Sequence, residues 1–139
     1  MSNPQQRILF IEDDPFMVDM YTHVLKKHDY VVEVAYDGKA GMEKALNNAY
    51  DLILLDLMMP EMLGIDVLEK LRGEDGSGLP DTKIVVLTNL AQSEESRRAM
   101  EARADGYLIK ADITPNKLVD LIGRILGKQD LDDTDRKHH

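Results

Sequence analysis

The feature that most constrains the fold is an apolar run, Leu52-Ile-Leu-Leu55, between Asp51 and Asp56. The run is too short for one face of a soluble helix and lacks the alternation of a half-exposed strand. It therefore predicts a strand buried on both faces, as in a parallel sheet covered by helices. Asp56 follows the strand, where open α/β sheets bind ligands. An ordinary turn or helix-cap role is the alternative for a single Asp there.

The whole chain alternates such runs with amphipathic helical stretches. With the run from residue 51 to 55, five strands are predicted, the others at residues 7–11, 31–35, 83–87 and 106–109. Parallel strands need crossovers, and crossovers are right-handed. The pattern thus predicts an α/β fold, a three-layer doubly wound (βα)5 sandwich around a parallel five-stranded sheet. It leaves the strand order open, although 2-1-3-4-5, the flavodoxin-like order, is a common solution.

Helix starts and apolar stripes are readable in several places. Asp14, Asp37, Ser93 and Thr114 precede predicted helices and are candidate caps. The second helix has an apolar stripe of Met42, Ala45, Leu46 and Ala49, and the stripe of the first includes Met17 and Met20. The fourth helix offers mainly Ala99 and Met100 to a core, so we expect it to be the most weakly held.

Size and composition restrict the class of protein. The 139 residues suit one domain. We expect a flexible leader at 1–6, a folded domain at 7–128 and a polar disordered tail at 129–139, whose final histidines suggest a cloning remnant. The absence of cysteine excludes disulfides and thiolate metal sites, and the net charge of −9 opposes direct nucleic-acid binding. No apolar run has membrane length, which predicts a soluble, cytoplasmic protein without a membrane partner.

The strand ends carry complementary polar groups. In the 2-1-3-4-5 order, Glu12, Asp13, Asp56, Thr88 and Lys110 would share one crevice. Three carboxylates so close together repel, and like charge with burial would raise a pKa unless a cation is present. Carboxylates without His or Cys suit Mg²⁺, with Mn²⁺ as an alternative, and disfavour zinc. The sequence thus predicts a divalent-cation site.

The same groups suit phosphoryl transfer. A carboxylate such as Asp56 can act as a nucleophile and form an aspartyl phosphate. That reaction needs a metal against the equatorial oxygens, a lysine to counter the remaining charge and a hydroxyl donor. Lys110 and Thr88 supply the last two groups.

Four segments at the strand ends carry a family resemblance: Ile8–Pro15, Leu54–Pro60, Val86–Thr88 and Gly106–Lys110. Together they resemble the receiver domain of two-component response regulators, a chemotaxis-regulator-like fold. The likeness runs from Ile8 to about Leu126. It implies a phosphorylation-dependent signalling switch in a phosphorelay. The phosphoryl donor would be a phosphohistidine on a sensor histidine kinase or a histidine phosphotransfer protein.

The resemblance also implies roles for single residues. Asp56 would be the phosphoacceptor, and Asp13 and Asp56 would bind Mg²⁺ directly together with the backbone carbonyl of Met58. Glu12 would assist through water. Such a protein is no dedicated enzyme, since it catalyses only its own phosphorylation and dephosphorylation.

The other implied residues hold the phosphoryl group and pass on the signal. Lys110 and Thr88 would hold that group, and Tyr107 would be the rotameric switch. Phosphorylation would change the surface of the fourth helix, fifth strand and fifth helix, and a homodimer could form through that face. The output partner or output domain is left unspecified.

Several positions depart from the family pattern. Asn89 replaces the usual small residue after the switch hydroxyl, Ala111 the usual proline, and Leu63 a frequent aspartate. Met58 and Leu90 occupy the positions that, with Asn89, tune dephosphorylation in this family. Both are apolar and cannot orient an attacking water, which predicts a long-lived phosphoryl state.

Two alternatives remain beside the phosphorylated switch. One is a receiver-like interaction module that works without phosphorylation. The other is a Mg-dependent phosphatase-type enzyme. Enzymes of that type carry a D-x-D motif after the first strand, and Glu12-Asp13-Asp14 does not fit that motif.

Overall fold

Five strands alternate with five helices in the part of the chain that the computed structural model describes. It describes residues 5–57, 59, 64–73, 75, 78–88 and 94–127, and of 95, 96 and 99 only the backbone. The elements are β1 (Arg7–Ile11), α1 (Pro15–Lys27), β2 (Val31–Ala35), α2 (Gly38–Asn47), β3 (Leu52–Asp56), α3 (Gly64–Arg72), β4 (Lys83–Thr88), α4 (Glu94–Arg103), β5 (Gly106–Ile109) and α5 (Pro115–Ile125). The central strand thus lies one residue later than predicted and includes Asp56.

All strands of the sheet are parallel, in the order β2-β1-β3-β4-β5. The open question of strand order is therefore settled as 2-1-3-4-5. The register pairs Ile11 with Leu55 and Thr88 with Ile109. The carboxyl ends of β1, β3, β4 and β5 consequently lie side by side at one edge of the sheet.

Two apolar clusters cover the two faces of the sheet. Alternate residues of β1 divide between them, with Leu9 and Ile11 on one face and Ile8 and Phe10 on the other. The first cluster also takes residues of α2, α3 and α4, and the second takes residues of α1 and α5. The predicted three-layer sandwich is confirmed, and the run from Leu52 to Leu55 is completely buried within it.

Three of the predicted helix caps are made as expected. The side chains of Asp14, Asp37 and Thr114 accept hydrogen bonds from the backbone N–H groups of Phe16, Ala40 and Lys117, at 3.0, 2.7 and 3.2 Å. Pro15 and Pro115 stand in the first helical turn, where their missing N–H costs nothing. Ser93 lies outside the described residues.

The predicted stripes of α1 and α2 need correction. In α2 the buried face is formed by Gly38, Gly41 and Ala45, while Leu46 is 64% exposed. A Cβ at Gly41 would lie 2.5 Å from Cδ1 of Ile11, so α2 packs too close to β1 for a larger side chain. In α1, Val18 is buried and Met20 is 37% exposed.

Met100 of α4 is buried, as its pattern predicts. Glu94, Arg97 and Arg98 of the same helix are exposed.

None of the helices in the described ranges combines the length and apolar character needed to cross a lipid bilayer.

Candidate functional site

Residues from four strand ends meet at the carboxyl edge of the sheet. Glu12 follows β1, Asp56 ends β3, Thr88 ends β4 and Lys110 follows β5. Glu12 and Asp56 are completely buried, Thr88 is 3% exposed, and the side chain of Lys110 is 25% exposed. Asp13 is exposed beside them. The structure therefore brings together the five residues that the sequence placed in one crevice.

Lys110 lies between the two buried carboxylates. Its Nζ donates to Oδ2 of Asp56 at 3.1 Å and to Oε2 of Glu12 at 3.5 Å. The same Glu12 oxygen accepts from the backbone N–H of Asp14 at 3.3 Å. This lysine supplies positive charge close to two carboxyl groups that are shielded from water.

The electrostatics match that arrangement. The pKa of Glu12 is raised from 4.5 to about 8. Burial is the largest cause and the neighbouring Asp56 carboxylate adds to it, while the Lys110 charge and the Asp14 N–H offset only part of the rise. Burial by itself lowers the pKa of Lys110, but its hydrogen bond to Asp56 and the charges of Asp56 and Glu12 outweigh burial and raise the pKa above 10.5. Glu12 thus holds a proton at neutral pH unless another cation enters.

The acidic cluster fits a divalent cation. One carboxylate oxygen from each of Glu12, Asp13 and Asp56 lies within 4.8 Å of the other two. Oε1 of Glu12 is buried and makes no hydrogen bond within the described residues. A hard cation satisfies such an oxygen and offsets the repulsion among the carboxylates. The residues present therefore suit Mg²⁺.

Gly64 is a site-positioning residue that sequence reasoning passed over. A Cβ at this position would lie 2.3 Å from the carbonyl oxygen of Asp56 and 2.4 Å from Cα of Leu57. The Gly64 N–H also donates to the carbonyl of Leu57 at 3.3 Å. Only glycine lets α3 begin so close to the strand that carries Asp56. A glycine at a helix start, eight residues after the proposed phosphoacceptor, was the available signal.

Other predicted positions have different outcomes. Tyr107, the proposed switch, is 53% exposed. Ala111 lies in a 3-10 turn, Lys110–Asp112, which leads into α5. The tuning positions Met58, Asn89 and Leu90 and the departure at Leu63 lie outside the described residues.

A family model of the response regulator receiver domain matches residues 8–123. The chain belongs to this family. Response regulator ArlR of Staphylococcus saprophyticus is 34% identical over 119 residues, which are 86% of this chain and 50% of that protein. A gliding motility regulatory protein of Myxococcus xanthus is 32% identical over 86% of this chain and 15% of its own length. The receiver domain thus spans about half the length of the ArlR relatives, and much less of the second.

Solved structures share the fold. A CheY-like receiver domain protein from Methanospirillum hungatei has 30% identity and a TM-score of 0.80, covering 93% of this chain and 99% of its own. Response regulator TrrA of Thermotoga maritima, in complex with Mg²⁺-BeF, has 27% identity and a TM-score of 0.73, covering 87% and 99%. The receiver domain is a phosphorylation-dependent signalling switch, and the phosphorylation-independent and phosphatase-type alternatives are not favoured.

Proposed function

We propose that Asp56 accepts the phosphoryl group. One of its carboxylate oxygens forms a bond to phosphorus while the bond from phosphorus to the donor's imidazole nitrogen breaks. The electron pair of that bond stays on the imidazole, which can take up a proton. The observation that carries this proposal is the buried Asp56 carboxylate at the edge of the sheet, with Lys110 Nζ at 3.1 Å.

Neighbouring residues would prepare Asp56 for this reaction. Lys110 would hold the incoming phosphoryl oxygens, and Thr88, at the end of the next strand, would donate its hydroxyl hydrogen to another of them. Asp13 and Asp56 would bind Mg²⁺, or Mn²⁺ in its place, with the Met58 carbonyl, and Glu12 would assist through water. When bound, the cation supplies positive charge against the equatorial oxygens.

Phosphorylation would be passed on to a partner by a change in the surface formed by α4, β5 and α5. Tyr107 is exposed, and a cavity of about 250 Å³ lies beside it, lined also by Met100 of α4 and by Ala104, which follows that helix. We propose that Thr88 moves toward the phosphoryl group and that Tyr107 turns inward. The surface of these elements then shifts between two states, which phosphorylation biases.

The partners follow from the reaction and the family. We propose a sensor histidine kinase or a histidine phosphotransfer protein as donor, and a cytoplasmic location as the place of that exchange. A homodimer through the face from α4 to α5 and an unidentified output partner or output domain complete the proposal. No direct contact with nucleic acid is proposed for this chain, whose net charge is −9.

The phosphoryl group is expected to persist. Met58 and Leu90 are apolar and cannot orient an attacking water, and Asn89 stands where this family usually has a small residue. We therefore expect a lifetime much longer than seconds once donor is removed. The decay of the adduct, followed by mass spectrometry after desalting, measures it.

The proposed acceptor is tested with Mg²⁺ and acetyl phosphate, followed by intact mass. The protein should gain one phosphoryl group, and Asp56→Asn should gain none. Asp37→Asn is the matched control, because Asp37 is an exposed helix cap near the same edge and Asn caps equally well. An adduct of equal yield in Asp56→Asn would refute the assignment. Turnover of acetyl phosphate without an adduct would indicate an enzyme instead.

A further inference from the structure

Arg72, the last residue of α3, makes a dense set of hydrogen bonds far from the acidic cluster. Its Nε donates to the carbonyl of Arg103 at 3.0 Å, and its Nη1 donates to the carbonyls of Gly78 and Leu79 at 3.0 and 2.7 Å. Its Nη2 donates to Oδ2 of Asp105 at 2.6 Å. The Arg72 side chain is only 7% exposed. We call these five residues the Arg72 clamp.

The clamp joins the end of α4 to the beginning of two strands. Arg103 is the last residue of α4, and Asp105 immediately precedes β5. Oδ2 of Asp105 also accepts from the N–H of Ile84 in β4 at 2.8 Å, and the N–H of Asp105 donates to the Ile84 carbonyl at 2.7 Å. All these contacts lie at the amino edge of the sheet, opposite the phosphorylation site.

The other end of α4 is held differently. The helix returns toward the amino edge after β4, so its first residue, Glu94, lies toward the carboxyl edge and the proposed site. Glu94 is exposed and forms ion pairs with Arg97 and Arg98 of its own helix, at 3.3 and 3.4 Å. Met100, near the clamp, is buried. Among the α4 residues whose side chains the structure describes, apolar burial and buried hydrogen bonds therefore lie at the carboxyl-terminal end of the helix.

We propose that Arg72 is a positioning residue that fixes the carboxyl-terminal end of α4, so that phosphorylation moves the amino-terminal end of this helix about the clamp. This inference rests on the proposed function and specifies which end of α4 stays in place when phosphorylation moves the helix. Ten residues of α4 span about 15 Å, so a rotation of roughly 10° about the clamp displaces the other end by roughly 2.6 Å. A small turn near Tyr107 thus becomes a larger change at Glu94.

Buried charge makes Arg72 suited to this task. A guanidinium shielded from water is stable only with its acceptors in place, and its planar fork fixes their geometry. Gly78 adds a second restriction, because its N–H donates to the Arg72 carbonyl at 2.7 Å and a Cβ there would lie 2.2 Å from the carbonyl oxygen of Leu71. The loop at Gly78 is therefore held against the end of α3, which keeps two of the acceptors of Arg72 in place.

The test compares hydrogen exchange with and without Mg²⁺ and beryllofluoride, followed by NMR so that single amides are resolved. In the unmodified protein the amides near Glu94 to Arg98 should change on addition, while those of Ile84, Ala104 and Asp105 should not. In Arg72→Met the change should spread to these three amides, with exchange altered by about tenfold or more. Arg98→Met, which removes an exposed arginine of α4, is the matched control and should keep the confined pattern.

Three results would overturn the proposal while the unmodified protein still responds. The first is a change in Arg72→Met that stays confined to the amides near Glu94 to Arg98. The second is faster exchange in Arg72→Met that is equal with and without Mg²⁺ and beryllofluoride. The third is a change at Asp105 in the unmodified protein as large as that at Glu94. Should Arg72→Met fail to fold, Arg72→Lys and Asp105→Asn keep part of the hydrogen bonding and are tested in the same way. No response anywhere in the unmodified protein would instead refute the proposed function, and the clamp's role with it.

Discussion

Glu12→Gln should stabilise the metal-free protein at neutral and alkaline pH. Glu12 is completely buried next to Asp56, and burial first and Asp56 second raise its pKa to about 8. The unfolded chain ionises this group near 4.5. Stability from the protonated carboxyl is therefore complete below pH 4.5 and is lost as the pH rises to about 8. Glutamine removes the titration while keeping the size and one acceptor oxygen.

The expected gain follows from the two pKa values. Each unit of pKa difference corresponds to about 1.36 kcal/mol, so Glu12 costs about 3 kcal/mol at pH 7 and at most about 5 kcal/mol above pH 8. Glutamine keeps an acceptor oxygen toward Lys110 Nζ, as the protonated carboxyl does, so this contact changes little. We expect a gain of about 3 kcal/mol at pH 7. The gain should be near zero below pH 4.5 and should be reduced by saturating Mg²⁺, which favours the ionised carboxylate.

Urea unfolding between pH 4 and 9 measures this difference, with a chelator in one series and Mg²⁺ in the other. Comparing variant with parent cancels the titration of groups that do not contact Glu12. A free-energy difference that does not rise between pH 5 and pH 8 in chelator would show that Glu12 is not held protonated by its surroundings. A difference unaffected by Mg²⁺ would contradict the proposed part of Glu12 in the metal site.

Two further predictions concern Gly64, at the start of α3, and the ion pair between Arg7 and Glu33. Gly64→Ala should lower the free energy of unfolding by about 1–3 kcal/mol or more, because its Cβ would lie 2.3 Å from the backbone oxygen of Asp56, and thermal unfolding measures the loss. An unchanged melting temperature would contradict the close approach. Glu33→Gln should destabilise the protein at neutral pH, since the hydrogen bond from Arg7 lowers the pKa of Glu33; urea unfolding should show the loss shrinking as the pH falls below 4.5. A loss equally large at pH 3 would count against the ion pair.

Local sequence information predicted the elements and the candidate site. Unbroken apolar runs such as Leu52 to Leu55 predicted the buried strands, because a strand covered on both faces has no solvent-exposed face that would need polar residues. Asp14, Asp37 and Thr114 fixed helix starts, since capping needs only neighbours in sequence. The polar residues at the strand ends could be grouped because parallel strands share their carboxyl edge.

Only the tertiary structure decided how these pieces approach one another. The strand order, the placement of Lys110 between Glu12 and Asp56, and the restriction at Gly64 depend on distances between segments remote in sequence. The stripe of α2 was wrong at Leu46 because close packing on β1 selects the small residues of that helix.

The Arg72 clamp was not read from the sequence at all. Arg72 is the last residue of α3, and an arginine at a helix end is usually solvated, as the exposed Arg98 is on α4. Its burial comes from three backbone carbonyls and one carboxylate, from Gly78 to Asp105 along the chain. Sequence determined which groups can carry charge, cap a helix or fill a core. The fold decided which of those charges water no longer reaches, and burial of that kind raises the pKa of Glu12 and holds Arg72 in place.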